Sequence, residues 1–136
     1  MLRACRALLH PLGRLAFTAI HPAPALGEAG YRRALSAGPR AVSTRRRSYG
    51  ELLTAAGFEA IEVVDLTDDY RETLGLLIHH QELHAEELGR LSGVESFEER
   101  QAELQEALGA IDEGLLRRSL CLARNRPAVG PADFVA

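Results

Sequence analysis

The chain has 136 residues, 46% of them apolar and 26% charged, with a formal net charge of −3. This length predicts one domain with a modest core, and the absence of long biased tracts excludes the fibrous and disordered classes. The charge is unevenly divided: residues 1–50 carry nine arginines against Glu28 alone, a formal +8, and the remainder carries seven arginines against eighteen acids, a formal −11. The arginines are scattered, without the interleaved aromatics of a nucleic-acid surface, so no nucleic-acid partner is expected. Arg14, His21, Glu28 and Arg32 interrupt the least polar stretch well short of the roughly 20 apolar residues that a bilayer requires, and no membrane span is expected. Cys5 and Cys121 match no metal or redox spacing and read as reduced, buried, small apolar residues of a cytoplasmic protein.

Leu2 to Leu9 fits a short helix that Pro11 stops, because proline lacks an amide and bars the residue before it from helical torsions. Gly13 then turns the chain into a strand, Arg14 to Ile20, whose nearly continuous apolar character predicts cover on both faces. Residues 21–47, rich in proline and glycine, read mainly as loop with a short helix around Glu28 to Leu35. Ser48 with Glu51 makes a capping box for a helix that Gly57 ends. Phe58 leads into a strand at Ile61 to Leu66.

Thr67 or Asp68 is expected to cap a long helix running to about Leu91, with Tyr70, Leu74, Leu77, Ile78, Ala85 and Leu88 on one stripe. Gly93 breaks it, and a second capping box, Ser96 with Glu99, opens a helix with Phe97, Leu104, Leu108, Ile111 and Leu115 in line, reaching Arg118. Ser119 to Ala123 is the last strand, and residues 125–136 read as a flexible tail.

Composition alone offers a competing account of the N-terminus. Residues 1–47 are arginine-rich, acid-poor and end in Arg45, Arg46 and Arg47, as a mitochondrial transit peptide would. The compact apolar run between Pro11-Leu12-Gly13 and His21-Pro22 is instead the punctuation of a strand.

Three patterns, in order, carry a resemblance. His10-Pro11-Leu12-Gly13-Arg14-Leu15-Ala16-Phe17 resembles the turn into the fifth strand of class I (Rossmann-like) methyltransferases dependent on S-adenosylmethionine. Leu52-Leu53-x-x-Ala56-Gly57-Phe58-x-x-Ile61-Glu62-Val63 resembles the approach to that family's sixth strand, and Leu115 to Arg124 the approach to its seventh. The resemblance covers residues 1–124 and includes the segment that a transit peptide would discard. It implies an α/β fold: the C-terminal portion of the methyltransferase domain, about three strands with the last antiparallel between the others, and an inserted helical pair at 68–118. The Arg14 to Ile20 strand would lie at one end of the sheet with an edge open to a missing N-terminal portion or a second copy.

The resemblance also implies methyl transfer to a small-molecule acceptor with S-adenosylmethionine as cofactor. Family members hold that cofactor with a Gly-rich loop after the first strand, and this sequence has no G-x-G-x-x-G or relaxed form, so the chain is expected to lack cofactor-binding residues and not to bind the cofactor alone. Leu12 stands where the family has glycine, which makes the turn less permissive. A noncatalytic binding or dimerisation module built on the same fold is the rival reading.

His21, Tyr31 and His84 are the substrate-binding candidates. His21 follows the first strand, where ligands bind beyond the carboxyl ends of parallel strands; it could orient substrate, act as a base, or simply satisfy backbone groups. Tyr31 and Tyr49 are further pocket candidates. His80 and His84 have the spacing of two ligands on one helical face, but Gln81 precedes Glu82, so the zinc-protease motif is absent and no metal is expected. The acidic run over Glu82–Glu87 and Glu95–Glu106 reads as a solvated face, and no catalytic residue is assigned.

Overall fold

A computed structural model describes residues 1–39 and 46–127, so Arg45 and residues 128–136 of the expected tail lie outside the described residues. The elements are α1 (Leu2–Leu8), β1 (Arg14–Pro22), α2 (Glu28–Ala37), α3 (Tyr49–Ala55), β2 (Phe58–Asp65), α4 (Thr67–Leu83), α5 (Ala85–Ser92), α6 (Val94–Asp112) and β3 (Leu116–Asn125). The strands form one sheet in the order β1-β3-β2.

Register follows from the amides at the strand ends. Asn125 N–H donates to the Gly13 carbonyl at 2.7 Å and Ala23 N–H to the Leu115 carbonyl at 2.8 Å, so β3 runs antiparallel to β1. Leu66 N–H donates to the Arg118 carbonyl at 2.8 Å and Arg126 N–H to the Gly57 carbonyl at 3.3 Å, so β3 is antiparallel to β2 as well. β1 stands at one end of the sheet, as the resemblance implies.

The described residues divide into two compact units, where length alone predicts one domain. The first comprises those within 1–18, 45–64 and 120–136. Its core is Leu53, Ala56, Phe58, Cys121 and Ala123, with Leu2, Leu9, Leu15, Phe17, Tyr49 and Ile61 packed around it. Removal of residues 1–47 would therefore take away α1, β1 and four of those packing side chains.

Local chemistry sets the boundaries in this unit. Ser48 Oγ accepts from Glu51 N–H at 3.1 Å while the Glu51 carboxylate accepts from Ser48 N–H at 2.9 Å, the reciprocal capping box. Gly57 closes α3 at φ 94°. In the turn before β1, Gly13 N–H donates to the His10 carbonyl at 2.8 Å, and Leu12 is held at φ 65°, where its Cβ is strained. A Cβ on Gly13 would meet that same His10 oxygen at 2.8 Å, so the glycine is obligatory there. Buried Asn125 fixes the turn: its Nδ2 donates to the Leu9 and His10 carbonyls at 3.1 Å each, and its Oδ1 accepts from Arg6 Nε at 3.0 Å. Asn125 is thus the last residue of β3 rather than the first of a tail. The expectation that β1 is covered on both faces also fails, since Arg14, Ala16 and Thr18 are exposed between half-buried Leu15 and Phe17.

The second unit comprises the described residues within 19–44 and 65–119. Ala37, Leu74, Ile78, Ala107, Ala110, Ile111 and Leu116 are its core, and α6 is the helix against which α2, α4 and α5 all pack. Arg33 clamps α2 to the end of α6 through two bonds to the Glu113 carboxylate, 2.9 and 2.6 Å.

Several boundaries here differ from expectation. The helix expected to reach Leu91 is two helices, interrupted at His84 (φ −111°, ψ 21°), so the expected helical pair is three helices. The interruption lets α4 and α5 each lie against α6, a tertiary gain that no glycine or proline announces. The Ser96–Glu99 capping box is not used. Gly93, at φ 88°, already accepts from Phe97 N–H at 3.0 Å, and α6 starts at Val94.

α6 also stops short of Arg118. Gly114 adopts φ 75°, its N–H donates to the Ile111 carbonyl at 3.0 Å, and Leu115 N–H donates to the Ala110 carbonyl at 2.9 Å, a complete Schellman motif. Arg117 and Arg118 therefore belong to β3 and do not sit at a helix end.

Candidate functional site

In the second unit, the carboxyl ends of β1 and β2 flank the beginning of β3, and polar side chains from all three strands gather there. His21, near the end of β1, places Nε2 2.8 Å from the Oγ of Ser119 on β3 and Nδ1 2.9 Å from the carbonyl oxygen of Pro22. A carbonyl oxygen can only accept, so in the neutral ring Nδ1 carries the proton and Nε2 accepts from the Ser119 hydroxyl. Ser119 is buried and His21 half-buried, so this pair is held in place on both sides.

At the end of β2, Asp65 Oδ1 accepts from Thr67 N–H at 2.9 Å and from the Thr67 hydroxyl. Asp65, two residues before Thr67, therefore does the capping expected of Thr67 or Asp68. The Thr67 oxygen in turn accepts from Arg118 N–H at 3.1 Å, and the Arg117 guanidinium lies 3.7 Å from Asp65. These bonds from Thr67, with smaller help from Arg117 and His21, hold the Asp65 carboxyl below the usual carboxylate range. Beyond it, Arg118 lies over the Tyr70 ring, 5.3 Å from its centroid. Burial pushes the Tyr70 hydroxyl up, partly opposed by Arg118.

The result is a row of fixed groups across three strands: an imidazole with a defined lone pair, a buried hydroxyl, an ionised carboxylate and the Arg117 guanidinium, while Arg118 faces Tyr70 on the other side of the sheet. Chemically it can orient a polar acceptor and take a proton at His21 Nε2, provided the acceptor displaces the Ser119 hydroxyl.

Of the residues singled out by sequence, His21 lies in this row. Tyr31 is half-buried on α2, the helix that follows the His21 loop. His84 is exposed at the joint of α4 and α5 and shares none of His21's described partners. That joint also ends the helical spacing that would align His80 with His84, and no group of three or more ligating side chains is present among the described residues. Tyr49 packs edge-on against Phe17, with ring centroids 5.5 Å apart, in the core of the first unit.

Sequence reasoning missed Asp65, Thr67, Tyr70, Arg117 and Ser119 as a group. A helix carried to Arg118 takes Arg117 out of the strand that holds Ser119. Gly114, a glycine placed to end α6, was the signal that could have corrected it.

The turns leaving these strands do not fit S-adenosylmethionine. β1 ends on Pro22 and the turn after it includes Pro24, neither with an amide to offer, and β2 passes through Leu66 directly into α4. Neither turn makes a cradle of backbone amides for the cofactor.

No family model matches the chain, and no curated protein does. Solved structures match over most of its length. One is phosphoethanolamine N-methyltransferase 2 of Haemonchus contortus with phosphomonomethylethanolamine and S-adenosylhomocysteine: 17% identity, TM-score 0.73, covering 93% of this chain and 29% of that one. The same enzyme with S-adenosyl-L-methionine matches at 16% identity and TM-score 0.69, over 93% and 29% of the two chains. A protein assigned as a sarcosine dimethylglycine methyltransferase of Galdieria sulphuraria matches at 16% identity and TM-score 0.78, over 92% and 46%. At these identities the likeness carries the fold: the chain has part of the Rossmann-like methyltransferase fold, and it spans 29% to 46% of the length of the solved structures it matches. No helix among the described residues is long and apolar enough to cross a membrane.

Proposed function

We propose that the chain is the acceptor-side, C-terminal portion of a cytoplasmic S-adenosylmethionine-dependent methyltransferase acting on a small molecule. The observation that carries this reading is the polar row at the carboxyl ends of β1 and β2, in a fold matched over 93% of the chain by a methyltransferase solved with its small acceptor. His21 is the acceptor-positioning residue and proton acceptor, and Tyr31 on α2 and the helices between β2 and β3 form its cover. Methyl transfer gains mainly from alignment and exclusion of water, which suits a site of fixed hydrogen bonds. The cofactor is held by polypeptide outside this chain, which pairs with the open edge of β1.

Calorimetry tests the division of labour. Titration of S-adenosylmethionine into this chain alone gives no binding, and titration into the chain joined to an N-terminal half carrying a Gly-rich strand-loop-helix gives saturable binding. Micromolar binding by the isolated chain overturns it.

A second reading rests on the position of β1 at the end of the sheet. In that reading the chain is a noncatalytic module whose β1 edge pairs with a second copy. Light scattering separates the two: a concentration-independent monomer counts against self-pairing.

A further inference from the structure

The first unit contains a cleft of about 580 Å³ that the proposed reaction does not use, lined by Arg3, Arg6 and Ala7 of α1, Ala55, Ala56 and Gly57 at the end of α3, and Asn125 and Arg126 at the end of β3, with Leu9 and Pro11. Its volume is within the range of small-molecule sites. Three guanidinium groups line it and no carboxylate does.

Arg6 alone argues for nothing, because a cation in the last turn of a helix is favourable in its own right. What matters is how it is held. Its Nε donates to buried Asn125, whose own amide is anchored on two carbonyls, and its guanidinium lies flat against Gly57, where a Cβ would sit 2.7 Å from Nε and 2.8 Å from Cζ. Gly57, Asn125 and the turn after α1 thus fix one cation at the bottom of the cleft. Arg3, one turn earlier on α1, extends the same helical face and is exposed. Arg126 brings a third guanidinium from the end of β3; Glu59, 3.7 Å away, offsets part of its charge and also pairs with Arg124 at 3.0 Å. About two positive charges are left to be balanced inside a cleft whose remaining walls are alanine, leucine, proline, Gly57 and the Asn125 amide.

We infer that this cleft binds a small organic dianion, a phosphate monoester with an apolar body, with Arg6 as the fixed anchor and Arg3 and Arg126 closing on the phosphate oxygens. Guanidinium suits that task because its planar fork matches phosphate oxygens two at a time. The apolar walls then select the organic body, which inorganic phosphate lacks.

Phenyl phosphate, inorganic phosphate and phenol, each titrated into the full chain at constant ionic strength, test the assignment. Phenyl phosphate binds saturably and raises Tm, inorganic phosphate binds more weakly, and phenol does not bind. Arg6→Gln also disturbs Asn125, so the informative variant is the exposed pair Arg3→Gln with Arg126→Gln. That pair keeps the ligand-free Tm and loses about tenfold or more in affinity, the loss expected for charge-assisted hydrogen bonds. Arg32→Gln on α2, outside the cleft, leaves binding unchanged. No binding by the wild-type chain, or equal binding by the wild type and the double variant, overturns the assignment. Neither outcome bears on S-adenosylmethionine binding, so it stands or falls apart from the methyltransferase reading.

Discussion

The two units of this chain are stabilised by different means. In the first, the groups whose ionisation is displaced, Tyr49 and Cys121, are pushed up by burial. In the second, burial pushes up Tyr70, but Asp65 and Glu113 are held down by hydrogen bonds and nearby arginines, and Arg33 and Arg71 are raised by Glu113 and Asp112. One unit excludes water from a small core at the sheet; the other assembles helices whose exposed flanks are fastened by charge. The difference teaches where each is vulnerable: the first to loss of volume or of a buried polar bond, the second to acid.

Core truncation is the harshest way to test that contrast. Phe58 is 1% exposed, and Phe58→Ala is expected to cost about 3–5 kcal/mol, close to the whole stability of a small domain. Leu116→Ala, at a side chain fully buried in the second unit, is expected to cost about 2–5 kcal/mol. Hydrogen exchange resolved along the chain tells whether each loss stays in its own unit. Phe58→Ala should release β2 and α3 amides first, and Leu116→Ala those of α4 and α6. Equal loss of protection everywhere would end the distinction.

Asn125 offers a narrower test inside the first unit. Asn125→Ala removes its bonds to the Leu9 carbonyl, to the His10 carbonyl, which keeps Gly13 N–H, and to Arg6, which keeps the Arg126 carbonyl, and a lost hydrogen bond costs about 0.5–1.5 kcal/mol. Urea denaturation should show a lower midpoint. Asn125→Asp should not restore it, because a carboxylate can accept from Arg6 but cannot donate to the two carbonyls.

How much of each unit was legible in the sequence follows the same division. In the first, Pro11, Gly13, the Ser48–Glu51 box and Gly57 act on the backbone within a few residues, so α1, α3 and the start of β1 fall where the sequence predicts, while β2 starts at Phe58 rather than Ile61. In the second, the break at His84 comes from packing on α6, which local propensity does not encode, and Ser96 with Glu99 offers a helix start that Gly93 pre-empts. Gly114 marks the end of α6 in the sequence itself and places Arg117 on β3 beside Ser119, which the last strand already contains. The place of His21 at the carboxyl end of β1 was legible from the apolar run before it. Its partner was not, because Ser119 lies 98 positions away and no local pattern joins the two.

Leu12 reverses the direction of the test, because here the sequence departs from the permissive residue and the chain bears the strain. At φ 65° and 54% exposed, the leucine loses little packing if replaced. Leu12→Gly is expected to stabilise by about 1 kcal/mol, the left-handed penalty less the entropy that glycine adds to the unfolded chain. A rise of a few degrees in Tm checks it, and an unchanged or lower Tm would mean that the turn draws on the leucine side chain.

The smallest expected effect is the opposite pH dependence of Asp65 in the second unit and Cys121 in the first. Asp65 has a folded pKa below its unfolded value, so its stabilisation is present above about pH 4 and is lost as pH falls through the depressed value. Cys121 and Tyr49 have folded values above their unfolded ones, so their contribution is present below the unfolded value and is lost as pH rises through the folded one, beyond about pH 8.5 for the thiol. Asp65→Asn should therefore lower Tm at neutral pH, with the gap to wild type closing toward pH 3. Cys121→Ala should lower Tm at pH 7 by loss of packing and narrow that gap above pH 9. The Asp65 gap stays modest because the carboxylate is exposed and its pairing with Arg117 is screened by solvent. If it instead persists undiminished to pH 3, the link from β2 to α4 depends on the shape of the Asp65–Thr67 turn and not on the charge it carries.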